Sequence, residues 1–329
     1  MTETAVLLCG HGSRDPEAIT EFELLAAALR LRLPQVDFAV GYLEFARPTI
    51  RDGLAALAAR GARRILAVPG MLFAASHVKN DLPWEVNSFA AENRRIEVRL
   101  GRDLAIDPKL LRAASDRIAT MMPENGVDPA DTLLLVVGRG TNDPDANSNI
   151  AKVTRMLWEG MGFGWAETAF SGVAYPRVDA ALTRAARLGF RRIVVFPYFL
   201  FTGVLVKRIY AQSDAAARLV PEVEFVNAPY LRDHPAVLDA FYERVTELEH
   251  GQPAMNCQLC KYRTQIIGYE DDAGAAQAGH HHHVRGVGVG DGDGHDRADH
   301  DHPHRHQSSP HPGPLPASGA REGPATPGE

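Results

Sequence analysis

"LLCGHGSRDP" runs from Leu7 to Pro16, and "LVVGRGTNDP" runs from Leu135 to Pro144. The two stretches share one frame: an apolar run, Gly-x-Gly, a hydroxyl residue, then Asp-Pro. One position changes in kind, because Arg139 stands in the second stretch where His11 stands in the first. The offset of 128 between those two residues also carries Pro48 onto Pro176 and "GARRI" (Gly61–Ile65) onto "GFRRI" (Gly189–Ile193). It carries Pro69, Leu72 and Phe73 onto Pro197, Leu200 and Phe201, and Val78 and Lys79 onto Val206 and Lys207. So many matches in one ungapped register identify an internal duplication. The body is two copies of one unit, with a seam near "MPENGVDPAD" (Met122–Asp131).

Within the first copy, short apolar runs alternate with helical patterns. "AVLLCG", "VDFAVGYL", "RRILAVPGML" and "RIEVRLG" read as strands buried on both faces. "EAITEFELLAAALRLRL" and "TIRDGLAALAARG" read as helices, the second ended by Gly61. The alternation predicts an α/β fold: two tandem duplicated domains, each a parallel sheet flanked by helices and joined by right-handed crossovers. Ligands of such sheets bind at the carboxyl ends of the strands.

What a duplicated fold needs for packing it keeps in both copies, so the differences point to chemistry. His11 follows the first strand, Glu44 the second in "GYLEFARP", and His77 the third in "MLFAASHVKNDLP". Their counterparts are Arg139, Gly172 and Leu205. Two imidazoles and a carboxylate at three strand ends of one copy, all absent from the other, are expected to converge on one cleft. Imidazole titrates near neutral pH and ligates divalent cobalt, nickel, iron and zinc. The set could hold a metal loosely or accept protons. No serine or cysteine nucleophile motif accompanies it, and Cys9 reads as a small buried apolar residue. "CGHGS" lacks the length and the lysine of a phosphate-binding loop; Gly10 and Gly12 read instead as a tight turn with close backbone approach.

Bulk properties narrow the class. The chain has 329 residues, 45% of them hydrophobic, and no run of the roughly 20 apolar residues that a membrane span needs. "MTETAVLLCGHG" has no basic n-region, so no secretory leader is expected, and three cysteines make no disulfide framework. The cytoplasm is the expected location. The net charge of −6 belongs to residues 270–329, and the remainder is neutral, which gives no hint of a nucleic-acid surface.

"LLCGHGSRDP", "GYLEFARPTI" and "SHVKNDLP" together resemble the class II chelatases of tetrapyrrole synthesis, and within them the long form of the sirohydrochlorin cobaltochelatase (CbiX) family. The resemblance covers both copies and part of the tail. It implies two tandem chelatase-like domains, residues 1–124 with the active-site residues and residues 131–249 as a degenerate copy. It implies a lyase that inserts Co²⁺ into sirohydrochlorin without ATP, in cobalamin synthesis, with His11, His77 and Glu44 as the catalytic and metal-binding residues. Metallation releases two protons from the inner pyrrole nitrogens, which suits an imidazole base. Sirohydrochlorin carries many carboxylates, so Arg139, Arg14 and Arg47 are candidates by position to bind it. Insertion of Fe²⁺ or Ni²⁺ is the nearest alternative, because imidazole suits all three metals. A metal-storage protein or metallochaperone is the alternative from another class.

Residues 250–329 form a tail of different composition. "MNCQLCKYR" (Met255–Arg263) pairs Cys257 with Cys260, a spacing that suggests a metal or an iron–sulfur cluster, or an idle dithiol. The resemblance extends to this Met-x-Cys-x-x-Cys and implies a [4Fe–4S] cluster. Two cysteines complete only half of its ligands, so either two chains share a cluster as a homodimer or other ligands help. Beyond lie His280, His281, His282, His283, His295, His300, His302, His304, His306 and His311 among Asp and Gly. This low-complexity segment is expected to be disordered and to buffer metal for the chelatase; a solvated linker is the bland reading.

Overall fold

The computed structural model describes residues 3–122 and 126–250. Cys257, Cys260 and the histidines from His280 onward lie outside the described residues.

The apolar runs form two four-stranded sheets. In the first, β1 (Thr4–Gly10) lies between β2 (Asp37–Tyr42) and β3 (Arg64–Pro69), with β4 (Glu97–Leu100) beyond β3. In the second, β5 (Thr132–Gly138) lies between β6 (Trp165–Phe170) and β7 (Arg192–Pro197), with β8 (Glu224–Asn227) outermost. All pairs are parallel. β1 and β5 are buried almost throughout, as central strands covered on both faces must be.

The register repeats with the sequence. Ala5 pairs with Asp37 as Leu133 pairs with Trp165, and Thr4 with Arg64 as Thr132 with Arg192. At the outer strands the match shifts by one: Arg64 pairs with Glu97, but Arg192 with Glu224. The first half therefore holds one more residue between its third and fourth strands. The segment after β3 opens with a turn of π-helix, His77–Asp81, and continues as α3 (Leu82–Glu92). Its counterpart α7 (Val204–Leu219) is regular throughout. A π-turn is how a helix accommodates one inserted residue, and such turns concentrate at functional sites.

The repeated Asp-Pro is a helix start. Asp15 Oδ1 accepts from Glu17 N at 3.1 Å and Pro16 opens α1 (Pro16–Arg32). Asp143 Oδ1 accepts from Asp145 N at 3.0 Å and Pro144 opens α5 (Pro144–Met161). A capping carboxylate followed by proline at the first helical position satisfies one exposed N–H and removes another. The remaining helices are α2 (Ile50–Ala59), α4 (Pro108–Ala119), α6 (Val178–Ala185) and α8 (Pro235–His250). None among the described residues is long and apolar enough to cross a membrane.

One core is shared by both halves: Leu8, Phe22 and Val68 pack in the same cluster as Val136, Phe196 and Tyr198. Each outer face has its own smaller core. The last helix of the second half crosses over. α8 contacts α1 and β3 of the first half, while α4 contacts α5 and α8. The crossing is pinned by buried Arg244 with Asp107 at 3.0 Å, and by Arg102 with Glu247 at 2.7 Å. Two lysines close the interface reciprocally. Lys79 Nζ lies 2.6 Å from Asp143, and Lys207 Nζ 2.8 Å from Asp15. Each lysine follows the third strand of one half and reaches the helix cap of the other, so the halves meet as a pseudo-symmetric dimer would.

Phe241 on α8 is fully buried, and its ring approaches Gly70. Phe241→Ala should therefore destabilise the whole body, not a terminal helix alone, by about 3–5 kcal/mol. Urea unfolding checks this: one transition shifted to lower denaturant is expected, and a loss below about 1 kcal/mol would mean that α8 does not close the first half.

Candidate metal centre and cleft

The site begins at Gly12. Its φ is +90°, a conformation that favours glycine. A Cβ there would overlap the carbonyl oxygen of Glu44. Because there is none, the turn after β2 lies directly over the turn after β1, and Glu44 N donates to His11 O at 3.0 Å. Gly140 repeats this with φ +81° under Gly172, and Gly172 N donates to Arg139 O at 3.0 Å. The second glycine of each Gly-x-Gly is thus a crossing point of two strand-end turns. In the first half the crossing brings an imidazole beside a carboxylate.

His11 Nε2 lies 3.3 Å from Glu44 Oε1, and His77 Nε2 lies 3.8 Å from the same oxygen. The imidazoles meet edge to face with centroids 4.7 Å apart. One donor atom from each of His11, Glu44 and His77 falls within 4.8 Å of the others. Both rings are oriented from behind. His11 Nδ1 donates to Gly12 O at 3.0 Å, and His77 Nδ1 lies 2.6 Å from Asp81 Oδ2. Each ring's Nε2 is thereby presented to the centre, the arrangement that fixes the tautomer of metal-binding histidines. Glu44 is 5% exposed, so its charge sits in a poorly solvated place where a bound cation would stabilise it.

Asp81 was not singled out by the sequence reading. The signal available was the i, i+4 spacing of His77 and Asp81, made close by the π-turn. One further residue holds the loop that carries His77. Buried Asp103 accepts from Ala74 N at 2.7 Å, and burial pushes its carboxyl up to about 6. Phe45, at φ +60°, stacks near His11 at 6.5 Å and carries the guanidinium of Arg14 at 4.8 Å from its ring centroid.

His11 and His77 open on a cleft of about 410 Å³ between the halves, within the range of small-molecule sites, with Glu44 behind them. Most of its lining comes in pairs 128 apart: Gly12 with Gly140, Phe22 with Ile150, Phe73 with Phe201, His77 with Leu205. Arg14 and Arg139 line it. Arg47 does not; its guanidinium faces Asp52 of α2 at 4.0 Å. Cys9 lies outside the chemistry: it is fully buried in β1, and burial pushes its thiol far up.

A duplicated α/β body with one set of His, Glu and His at the strand ends of a shared cleft defines a class of metal-handling protein. The two halves match the CbiX family over residues 5–121 and 133–248, and the chain belongs to that family. It is 35% identical over 268 residues to the sirohydrochlorin cobaltochelatase of Priestia megaterium, covering 81% of this chain and 87% of that one. It is 29% identical over 245 residues to the sirohydrochlorin ferrochelatase of the same organism, covering 74% and 90%. Among solved structures, SirB from Bacillus subtilis with Fe³⁺ superposes with a TM-score of 0.67 at 27% identity, covering 75% and 96%.

Two substitutions test how the site is held. Gly12→Ala should strain the turn and displace Glu44, at a cost of about 1–3 kcal/mol in stability, and should weaken Co²⁺ binding. Asp81→Asn keeps the shape but removes the charge behind His77, so Co²⁺ affinity should fall about tenfold to a hundredfold with little change in melting temperature. Both are read by Co²⁺ titration of a chain ended after His250, which removes the His-rich tail. Parental affinity in Asp81→Asn would show that the contact does not orient His77.

Proposed function

We propose that the protein inserts Co²⁺ into sirohydrochlorin, without ATP, as a step of cobalamin synthesis in the cytoplasm. The observation that carries the reading is the convergence of His11, Glu44 and His77 within 4.8 Å in one of two otherwise matching halves. The 35% identity to a cobaltochelatase supports cobalt. The 29% identity to a ferrochelatase keeps Fe²⁺ as the second reading, since imidazole and carboxylate suit both ions.

Two neutral imidazoles and one carboxylate hold a divalent ion through three ligands. That is enough to capture it and leaves coordination positions open for the macrocycle nitrogens. The macrocycle enters the cleft between Phe73, Phe201 and Leu205, its inner nitrogens facing the metal. As the metal passes to those nitrogens, His11 Nε2, His77 Nε2 and Glu44 Oε1 are freed of the ion. They then accept the two protons that the pyrrole N–H groups release. Asp81 stabilises the imidazolium formed at His77. Arg139 and Arg14 meet substrate carboxylates; Arg47, turned to Asp52, has no part in this account.

The tail is read as metal buffering by the histidines between His280 and His311. Cys257 and Cys260 supply two thiolates toward a [4Fe–4S] cluster, and buried Cys9 is no third. A cluster there needs ligands from a second copy of the chain or from other side chains, and no step of the reaction runs through it.

The test is anaerobic insertion into sirohydrochlorin, followed by the absorbance of the pigment, with Co²⁺, Fe²⁺ and Ni²⁺ in turn. Co²⁺ should turn over fastest. His11→Ala and His77→Ala should each reduce the rate by about a hundredfold or more, the scale of a lost general base, and Glu44→Gln by less. Parental rates in both histidine variants would refute the site. Metal uptake with an unchanged pigment spectrum would identify a storage protein instead.

A further inference from the structure

The segment after the third strand is held by a carboxylate in both halves, but the two carboxylates have different origins. In the first half Asp103, of that same half, accepts from Ala74 N at 2.7 Å. The counterpart of Ala74 at the offset of 128 is Thr202, and its N–H donates to Glu21 Oε2 at 2.7 Å. Glu21 lies on α1, in the other half. Tyr230 takes the place of Asp103: Leu104 N donates to Met71 O as Leu231 N donates to Phe199 O, and Ala105 and Arg232 follow at φ +59° and +48°. The Tyr230 hydroxyl donates to Glu21 Oε1 at 2.6 Å, and Arg232 Nε stands 3.4 Å from the same oxygen. Burial and that carboxylate push the Tyr230 hydroxyl up to about 12, so it stays a donor at neutral pH. Both oxygens of Glu21 are thus engaged by the second half.

What Glu21 holds is a wall of the cleft, since residues 199–206 all line it. The grip has more than one point. Phe22, next to Glu21, meets Phe201, next to Thr202, edge to face with centroids 5.6 Å apart. Lys207, beyond the wall, reaches Asp15 at the start of α1 at 2.8 Å. Between these points the chain enters α7 through Gly203, at φ +149° and with no side-chain cap. We propose that Glu21 is a positioning residue for the macrocycle: by holding Thr202 N it fixes the wall at Phe201 and Leu205 against which the ring lies. The inference rests on the function proposed above. The first half holds its own segment from within, because that segment carries the ligand His77. The second half carries Leu205 there, and its segment is held from across the cleft by the helix that starts just after the His11 turn. A charged acceptor makes the stronger kind of hydrogen bond to a backbone N–H, which suits a single contact that sets a wall.

The experiment is equilibrium binding of sirohydrochlorin to the full chain without metal, followed by the pigment's absorbance, with steady-state insertion of Co²⁺ alongside. Glu21→Met keeps the length of the side chain without its acceptor and should weaken pigment binding by about fivefold to tenfold. Glu21→Gln, which still offers an oxygen to Thr202 N, should recover most of the loss. Tyr230→Phe leaves the Thr202 hydrogen bond in place and should bind within about twofold of the parent. Glu21→Asp keeps the charge but withdraws it, and should weaken binding in the same direction, so the test stands even where the methionine variant does not fold. In steady state the methionine and aspartate variants should raise KM for the pigment with kcat and the KM for Co²⁺ nearly unchanged, a split that a loss of folded protein would not produce. Parental affinity and KM for the pigment in both variants would overturn the proposal, as would a fall in kcat with pigment affinity unchanged. A parent that binds the pigment through Glu21 but never metallates it would leave the positioning role standing and refute the proposed reaction. A parent that does not bind the pigment would refute both.

Discussion

Gly12 has no side chain, and the backbone of Glu44 lies where one would be. The metal centre depends on this overlap. Glu44 and His11 are on different strand ends, and only the direct crossing of their two turns brings Nε2 to 3.3 Å from Oε1. The same crossing exists at Gly140, with nothing to bring together but Arg139 and Gly172. Because both halves keep the glycine, the crossing belongs to the fold. Because only one half fills it with ligands, the chemistry is separable from the geometry that packing provides.

Packing of the halves then decides how firmly that geometry is held. Lys79, two residues after His77, is buried against Asp143 and Asp145, whereas its counterpart Lys207 is half exposed beside Asp15 and Glu17. A buried ammonium is tolerated only if its partners stay in place, so Lys79 ties the π-turn to the second half more stringently than Lys207 ties α7 to the first. The crossing of α8 adds a second constraint. With a helix of the second half covering β3, neither sheet is covered without the other, and the cleft between them has walls belonging to one folding unit.

The duplication made much of this legible in the sequence. An ungapped offset aligned the two halves and exposed His11, Glu44 and His77 as the positions that differ, and strand periodicity placed them at strand ends. Asp81 and the π-turn escaped because the inserted residue leaves no mark on hydrophobic pattern or propensity; it shows only when the outer strands pair one residue out of register. Arg47 was grouped with the cleft by its position, but the chain turns at Pro48 to enter α2, and the guanidinium faces that helix instead. The crossing of α8 was hidden for a different reason. An apolar stripe states which face of a helix is buried, not which sheet buries it.

The asymmetry between the halves also bears on how a chelatase releases what it binds. A closed set of four ligands would hold a divalent ion as structural sites do, too tightly for transfer. Three ligands, two of them neutral, leave the ion with residual positive charge and open positions, so inner pyrrole nitrogens compete for it successfully once they are placed. Placement must come from the walls of the cleft, which both halves line. In the proposed function, both halves provide it. The apolar wall at Phe73, Phe201 and Leu205 receives the ring, and Arg14 and Arg139 receive its carboxylates. Metal and macrocycle carboxylates are then bound by groups of opposite charge within one cleft. Neither competes for the other's site, and they meet only where the transfer occurs.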